Sequence, residues 1–270
     1  MLVTRIKTAL VLFALVFLTL FVLPEWAWLV FSSALAALAF WEWQNLAAVS
    51  EFPESMRKHV AAVLGLSLLA FGLVGTSDAM LLFAGVTMVT SAVFWVLVAP
   101  TWLARGWVIR QAPLHQAVGL VLVLPAWSAL MALKAFPPAP YVLLAGMAVP
   151  WIADMGAYFT GKMFGKTKLA PTISPGKTWE GVAGAAFLMV LYYVFLNALG
   201  GIFQVFSLPV LLLLLALSVV GDLFESMIKR QVGVKDSSDL LPGHGGVLDR
   251  IDSQLSVLPM VLLLIILAAG

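Results

Sequence analysis

The chain has 270 residues, of which 63% are hydrophobic and only 10% charged, and its formal net charge is +2 at pH 7. Its mean hydropathy of +1.06 and its repeated apolar runs exclude an ordinary soluble protein and are typical of an integral membrane protein. The sequence contains no cysteine, which excludes disulfides, thiolate metal sites and cysteine nucleophiles.

Nine apolar segments follow one another along the chain, and none shows the strict alternation of polar and apolar residues that marks a membrane β-strand. Backbone groups in lipid must be hydrogen-bonded within the protein, so we expect each segment to form a transmembrane helix. The predicted spans are roughly 8–23, 27–47, 60–75, 79–99, 117–134, 141–160, 181–199, 205–228 and 253–269. The sequence therefore predicts an all-α integral membrane protein in which residues 1–270 form a single helical domain.

Basic residues indicate the orientation of these helices. If the N-terminus is cytoplasmic and the nine segments alternate in direction, fourteen of the 15 Lys and Arg residues lie on the cytoplasmic side and only Lys134 lies outside. This asymmetry agrees with the positive-inside rule. We therefore predict a cytoplasmic N-terminus, and the odd number of spans places the C-terminus on the outer side.

Several aromatic and polar residues near the segment ends are predicted to lie at the membrane surface. Tryptophan favours the membrane–water interface, and many tryptophans lie near predicted helix ends: Trp26, Trp28, Trp41, Trp43, Trp95, Trp102 and Trp107. Glu42, between two of them, is interpreted as part of this interfacial anchoring. His59 and His115 lie in polar loops without partners at metal-ligand spacing, and we interpret both as surface residues.

The eighth segment carries charges on one face. Asp222, Glu225, Ser226 and Lys229 are spaced i, i+3, i+4 and i+7, which places them together on a helix. Asp222 precedes Arg230 by eight residues, or ~12 Å of helical rise, so it lies below the lipid headgroups. A charge at that depth costs at least a few kcal/mol and is expected to face protein or a water-filled cavity and to mark function. A purely structural Asp–Lys pair is the alternative.

The segment that follows, 235–252, combines a glycine-rich turn around His244 with further charges. The glycines let the backbone approach a ligand closely and leave amides free to bind anionic oxygen. Asp249 and Asp252 are one helical turn apart, at or just before the start of the last span, where helix capping is the alternative role. Aspartates from different segments are the hard oxygen ligands that Mg²⁺ shares with phosphates. We therefore predict a Mg²⁺ site that uses Asp222 and Asp249.

A second polar cluster precedes the seventh segment and contains Lys162, Lys166, Lys168 and the sequence Ser174-Pro-Gly-Lys177-Thr178-Trp-Glu180-Gly181. A P-loop requires a glycine at position 171 and a preceding strand. Here position 171 is proline and the preceding segment is a membrane helix, so the Gly-Lys-Thr sequence is not a P-loop. A lysine, hydroxyl groups and backbone amides at a helix N-terminus still suit phosphate, with a solvated basic loop as the alternative. Asp154 shares one face of the sixth segment with Tyr158 and Lys162. For Asp154, a buried structural ion pair and a functional role are the two alternatives.

These residues resemble the motifs of the phosphatidate cytidylyltransferases, or CDP-diacylglycerol synthases. The longest motif is Ser226-Met-Ile-Lys229-Arg230, Lys235-Asp236, Pro242-Gly-His244-Gly-Gly and Asp249-Arg250-Ile-Asp252. The sequences Asp154-Met-Gly-Ala-Tyr158, Gly161-Lys162 and 174–181 are also similar to that family, although Met155 stands where we expect threonine. The resemblance places catalytic helices and cytoplasmic loops in 140–260, and leaves 1–135 as N-terminal transmembrane helices.

The resemblance implies that CTP and phosphatidic acid react to give CDP-diacylglycerol and pyrophosphate, with Mg²⁺ as the cofactor. It leaves open whether K⁺ also takes part. It implies catalytic roles for Asp222, Ser226, Lys229, Arg230, His244 and Asp249, with Asp222 and Asp249 as metal ligands. It implies substrate binding by Asp154, Lys162, Ser174, Lys177, Thr178, Lys235, Asp236 and Arg250. The expected location is a bacterial-type cytoplasmic (inner) membrane with the active site on its cytoplasmic side, and a homodimer is left open.

Other classes of protein fit the sequence less well. An alternating-access transporter is disfavoured because the polar residues cluster at one membrane face. A CDP-alcohol phosphotransferase would carry a DGxxAR…GxxxDxxxD motif, which is absent. The basic loops are too small, and too mixed with acidic residues, to predict nucleic-acid binding.

Overall fold

A computed structural model describes residues 2–47, 53–138 and 140–269. The helices are α1 (Leu2–Phe17, continued by a π-helical turn, Leu18–Val22), α2 (Glu25–Asn45), α3 (Glu54–Val74), α4 (Ser77–Val93), α5 (Ala99–Arg105), α6 (Ala112–Ala135), α7 (Tyr141–Phe164), α8 (Trp179–Leu199), α9 (Leu208–Gln231) and α10 (Leu248–Ala269). A π-helical turn, Phe94–Val98, joins α4 to α5, and a 3₁₀ turn, Gly201–Val205, precedes α9. Every predicted apolar segment is therefore helical within the described ranges.

Seven of the helical stretches in the described ranges are long and apolar enough to cross a membrane, by length and composition. They are α3, the continuous stretch Ser77–Arg105, α6, α7, α8, α9 and α10. The apolar part of α1 is shorter, and α2 has 21 residues but contains glutamate, serine and tryptophan. The helical membrane architecture is thus confirmed, whereas a total of nine spans and the sides on which the two ends lie stay predictions.

The helices extend beyond the apolar segments that predicted them. α3 begins at Glu54 rather than near residue 60, and α10 begins at Leu248 rather than near residue 253. Hydropathy marks the part of a helix that lies in lipid, whereas backbone hydrogen bonding continues through the polar residues at the interface. One consequence is that Asp249 and Asp252 lie inside the first turns of α10 and not before them.

A small β-hairpin interrupts the helical fold between α7 and α8, where we predicted only a polar loop. Strand β1 (Lys168–Ala170) pairs antiparallel with β2 (Ser174–Thr178), with Lys168 opposite Thr178 and Ala170 opposite Ser174. The Glu180 side chain accepts the Thr167 N–H at 3.1 Å and so fixes the base of the hairpin. The hairpin is too short for a periodic signal in the sequence, and its contacts with α7, α8 and α9 hold it in place.

The core lies around α10, which packs against α2, α4, α6, α7 and α9. Phe224 of α9 is in ring contact with a group of buried aromatic residues: Trp43, Phe94, Trp95 and Trp102. The indole N–H of Trp95 donates to the Leu255 carbonyl at 3.0 Å, which ties the π-helical turn after α4 to α10. This core joins the N-terminal helices to the part of the chain that carries the polar motifs.

The prediction of an interfacial tryptophan belt is wrong for four residues. Trp28, Trp43, Trp95 and Trp102 are buried, whereas Trp26 and Trp107 are exposed. In these four buried residues the indole N–H donates to a backbone carbonyl, as in the 2.8 Å bond from Trp43 to His115. Proximity to a helix end does not decide which side of the helix faces the bundle, so the sequence alone cannot separate the two positions.

The interpretation of His115 as a surface residue is also wrong. Its side chain is buried, and its ring stacks on Trp43 with a centroid separation of 4.7 Å. Its Nε2 lies 2.8 Å from the Trp43 carbonyl oxygen, which makes the two residues reciprocal partners between α2 and α6. His59, by contrast, is exposed as predicted.

Helices α7 and α8 approach each other through small residues. A Cβ atom built on Gly156 would lie 2.8 Å from the Ala185 Cα and 2.9 Å from the Gly184 carbonyl oxygen. Close backbone approach through glycine and alanine is a common basis of helix association in membranes. This contact fixes α7 against the helix that follows the hairpin, and thereby sets the position of the hairpin itself.

We expect Gly156→Ala to lower the stability of the α7–α8 contact by roughly 1 to 3 kcal/mol, because backbone atoms cannot move away from the added methyl group. The measurement is the thermal unfolding midpoint in detergent. Gly85→Ala in α4 is the matched control, since a Cβ atom there meets nothing within 4 Å. A midpoint for Gly156→Ala equal to that of Gly85→Ala would contradict the close packing.

Candidate active site

The charged face of α9 forms as predicted and meets the hairpin. Ser226 donates a hydrogen bond to the Asp222 carboxylate at 3.2 Å. Lys177 of β2 forms an ion pair with Asp222 at 2.5 Å, and each of the two side chains is 26% exposed. Asp222, a partly exposed carboxylate on a membrane helix, therefore faces a lysine from the second polar cluster. The two clusters that the sequence identified separately belong to one site.

Lys229 lies about two turns further along α9 and forms two further ion pairs. Its ammonium group donates to Glu225 at 2.5 Å and to Asp249 of α10 at 2.6 Å, and all three residues are buried. The other carboxylate oxygen of Asp249 accepts the Gly246 N–H at 2.8 Å and the Ser237 N–H at 2.9 Å. Asp249 is thus fixed between the cation and the backbone of the preceding connection.

The connection between α9 and α10, residues 232–247, turns sharply at the glycines. Gly243 and Gly245 have φ values of +77° and +81°, in the left-handed region that favours glycine. A Cβ atom on Gly245 would lie 2.6 Å from the Asp249 carboxylate, so there is also no room for a side chain at this position. The glycine motif therefore serves a close approach between this turn and Asp249.

The interpretation of Glu42 as an interfacial anchor is also wrong. Its side chain is 0% exposed. Its carboxylate accepts backbone N–H groups from Val247 at 2.9 Å and from Leu248 at 2.6 Å. It also accepts hydrogen bonds from the hydroxyl groups of Ser238 at 2.6 Å and Ser237 at 3.1 Å. A carboxylate inside an apolar helix is costly, and that cost was the signal available in the sequence.

Carboxylates from three helices lie close enough to repel one another electrostatically. Asp252 of α10 interacts with Asp222 and with Asp154 of α7. Glu225 interacts in the same way with Asp249 and Asp252, and its Oε1 atom is buried without a hydrogen-bond partner among the described residues. This group of carboxylates includes Asp222, which pairs with Lys177, and Asp249, which pairs with Lys229. Its concentration of negative charge favours a bound cation.

A cavity of about 330 Å³ opens beside the Lys177–Asp222 pair, between α7, α8, α9 and the hairpin. Its polar lining consists of Asp154, Tyr158, Ser174, Lys177, Thr178 and Ser218. Thr178 also caps α8, because its hydroxyl oxygen accepts the Gly181 N–H at 3.1 Å. The volume lies in the range of small-ligand sites, and the remainder of the lining is apolar.

The remaining predicted site residues lie around this centre. Lys162 is exposed over the Tyr158 ring, and Lys235 and Asp236 are exposed on the connection. Arg230 donates to the carbonyls of Ile173 and Val234 and so links α9 to the hairpin. Arg250 is exposed near Asp154, which it attracts electrostatically. His244 is half-buried, and its Nδ1 has no hydrogen-bond partner in the described part of the chain.

Residues 3–268 match the sequence pattern of the cytidylyltransferase family. A protein of Pseudomonas aeruginosa named phosphatidate cytidylyltransferase is 43% identical over 264 residues, which cover 96% of this chain and 95% of that protein. A protein of the same name in Haemophilus influenzae is 35% identical over 282 residues and 96% of each chain. One in Staphylococcus aureus is 48% identical over 132 residues, or 47% of this chain and 49% of that protein. The family pattern and the first two relatives extend over nearly the whole chain, which therefore belongs to the cytidylyltransferase family.

Proposed function

We propose that this protein is a phosphatidate cytidylyltransferase, which condenses CTP with phosphatidic acid to give CDP-diacylglycerol and pyrophosphate. The names of its relatives support this activity. The structural observation that carries it is the pair of Lys–Asp contacts, Lys177–Asp222 and Lys229–Asp249, at the end of a helix apolar enough to span the membrane. Charges of both signs at that depth suit a triphosphate and a lipid phosphate that meet near the bilayer surface.

The chemistry requires positioning and charge neutralisation more than a protein nucleophile. In the proposed reaction a phosphate oxygen of phosphatidic acid forms a bond to the α-phosphorus of CTP, and the bond from that phosphorus to the pyrophosphate breaks. Lys177, which lines the cavity beside Ser174 and Thr178, would bind phosphate oxygens there. Lys229, Arg230 and His244 would hold the attacking phosphate or the leaving pyrophosphate.

The carboxylates fit a Mg²⁺ ion that is shared with the substrate. No group of three or more Asp, Glu or His side chains in the described ranges is arranged to enclose a metal alone. Mg²⁺ commonly takes one or two carboxylates and completes its coordination with phosphate oxygens and water. Asp222, half-exposed beside the cavity, would supply one ligand, and Asp249 is the second proposed ligand. When bound, Mg²⁺ would neutralise charge on the triphosphate.

Three further features belong to the proposal. The buried Oε1 atom of Glu225 lacks a hydrogen-bond partner among the described residues, which supports a second cation such as K⁺ near this group. The excess of basic residues on one side of the predicted spans supports an active site on the cytoplasmic face of a bacterial inner membrane. A homodimer is compatible with the apolar helix surfaces that remain exposed.

The test is a partition assay with purified protein in detergent, phosphatidic acid and CTP labelled on the α-phosphate. We expect label to become lipid-soluble, with an equal amount of pyrophosphate released, only when divalent metal is present. Diacylglycerol in place of phosphatidic acid is the matched control, since it lacks the attacking phosphate. Label transfer to diacylglycerol, or full activity in the presence of a chelator, would contradict the proposal.

A further inference from the structure

Glu42 is a buried carboxylate, and its four hydrogen-bond donors among the described residues all belong to one distant segment. The donors are the hydroxyls of Ser237 and Ser238 and the backbone N–H groups of Val247 and Leu248. About two hundred residues separate the acceptor from these donors in the sequence, and both carboxylate oxygens are used. The donors are all uncharged, so the carboxylate is held by dipoles.

Two of the donors lie at the beginning of α10. Their N–H groups precede the first complete helical turn and have no acceptor within the helix, and the positive end of the helix dipole favours a carboxylate there. A residue of α2 therefore caps α10, although residues within α10 or just before it would normally do so. The start of α10 is fixed relative to α2 by this contact.

The segment that Glu42 binds is the one that positions Asp249. The Ser237 hydroxyl lies between the two carboxylates, 3.1 Å from Glu42 and 3.0 Å from Asp249. A Cβ atom on Gly246 would lie 2.6 Å from both oxygens of Glu42, so the carboxylate occupies the space in front of that glycine. The Gly246 N–H in turn donates to Asp249 at 2.8 Å. The contacts thus run from Glu42 through the connection to Asp249 and Lys229.

We infer that Glu42 is a positioning residue for the reaction, which holds the 237–248 segment so that Asp249 and Lys229 keep the arrangement needed at the reacting phosphates. Glu42 does not line the cavity beside Lys177, so it acts through the residues that it holds. This inference rests on the proposed function. It adds a residue from the N-terminal half of the chain to a site that otherwise lies in 154–252.

The first test is Glu42→Gln, which keeps the size of the side chain but places an NH₂ group against N–H or hydroxyl donors. We expect kcat to fall roughly tenfold or more, because a charge-assisted contact is replaced by a repulsive one. The KM for CTP should change much less, and Glu42→Asp, which keeps the charge, should restore part of kcat. Glu25→Gln at the exposed other end of α2 is the matched control and should resemble the parent protein.

A second readout follows the segment directly. The chain has no native cysteine, so a nitroxide label attached after Asp239→Cys reports only on the connection. We expect its mobility to rise with Glu42→Gln and to rise less with Ser238→Ala, which removes one of the four hydrogen bonds to Glu42 and the exposed bond from the Leu240 N–H, and should fold normally. Unchanged label mobility and unchanged kcat in Glu42→Gln would overturn the inference.

The remaining outcomes are also decisive. If activity in Glu42→Gln, Glu42→Asp and Ser238→Ala falls only in proportion to the amount of folded protein, Glu42 stabilises the fold alone and the inference is wrong. If the parent protein forms no CDP-diacylglycerol, the proposed function fails, and the mobility measurement still decides whether Glu42 holds the segment.

Discussion

Asp249→Asn is expected to reduce turnover at least about 100-fold, because it removes the charge that fixes Lys229 and sets an NH₂ group against backbone donors. The Lys229–Asp249 pair is buried, so the variant leaves the ammonium group with Glu225 as its remaining carboxylate partner in a region of low polarity. Loss of one of its two buried partners also costs roughly 1 to 3 kcal/mol of stability. The measurements are turnover with CTP and phosphatidic acid and the unfolding midpoint in detergent.

The matched control for Asp249→Asn is Asp239→Asn, on the same connection but exposed. We expect it to change neither turnover nor the unfolding midpoint appreciably, since exposed charges contribute little to stability. Turnover by Asp249→Asn at the parent rate would remove Asp249 from the reaction. Loss of stability without loss of turnover by the folded fraction would assign it a structural role only.

Asp222→Asn is expected to reduce kcat/KM by roughly 100-fold or more and to raise the Mg²⁺ concentration needed for half-maximal activity. Unlike Asp249, this residue is partly exposed, and so is its partner Lys177. Water can therefore solvate Lys177 when the pair is lost, and stability should fall by less than about 1 kcal/mol. A large kinetic effect with a small stability effect distinguishes Asp222 from Asp249.

Asp78→Asn, at the exposed start of α4, is the matched control for Asp222→Asn. It makes the same chemical change on a different membrane helix and should leave both activity and metal dependence as in the parent protein. An unchanged Mg²⁺ requirement in Asp222→Asn would contradict its proposed role as a metal ligand, even if turnover fell. The titration is therefore as informative as the rate.

The helices and the charged face of α9 were predictable because both depend on local order in the sequence. Twenty apolar residues in lipid have few alternatives to a helix, and the spacing of Asp222, Ser226 and Lys229 follows from 3.6 residues per turn. The pairing of Ser226 with Asp222 and of Lys229 with Glu225 agrees with that spacing. The α8 N-terminus at Trp179, capped by Thr178, was close to its predicted position of 181.

Contacts between helices were not predictable in the same way. Trp43 and His115 bury their polar groups against each other only because α2 and α6 are rotated to face one another. Glu42 lies between two tryptophans, as an interfacial residue would, but it serves as a helix cap. The sequence of α2 shows that its charge is costly, but not which partner offsets that cost. Hydropathy reports how deep a residue lies in the membrane, but not which neighbour it faces.

The sequence by itself determined the helical membrane class, the order of the segments and the shared face of Asp222, Ser226 and Lys229, because hydrophobicity and helical period are properties of neighbouring residues. The tertiary structure alone decided that Lys177 pairs with Asp222, that Lys229 joins Glu225 to Asp249, and that the 237–248 segment is held by Glu42. These partners are set by the packing and rotation of whole helices. A buried charge is stable only where such packing brings a counter-charge or a hydrogen-bond donor to it.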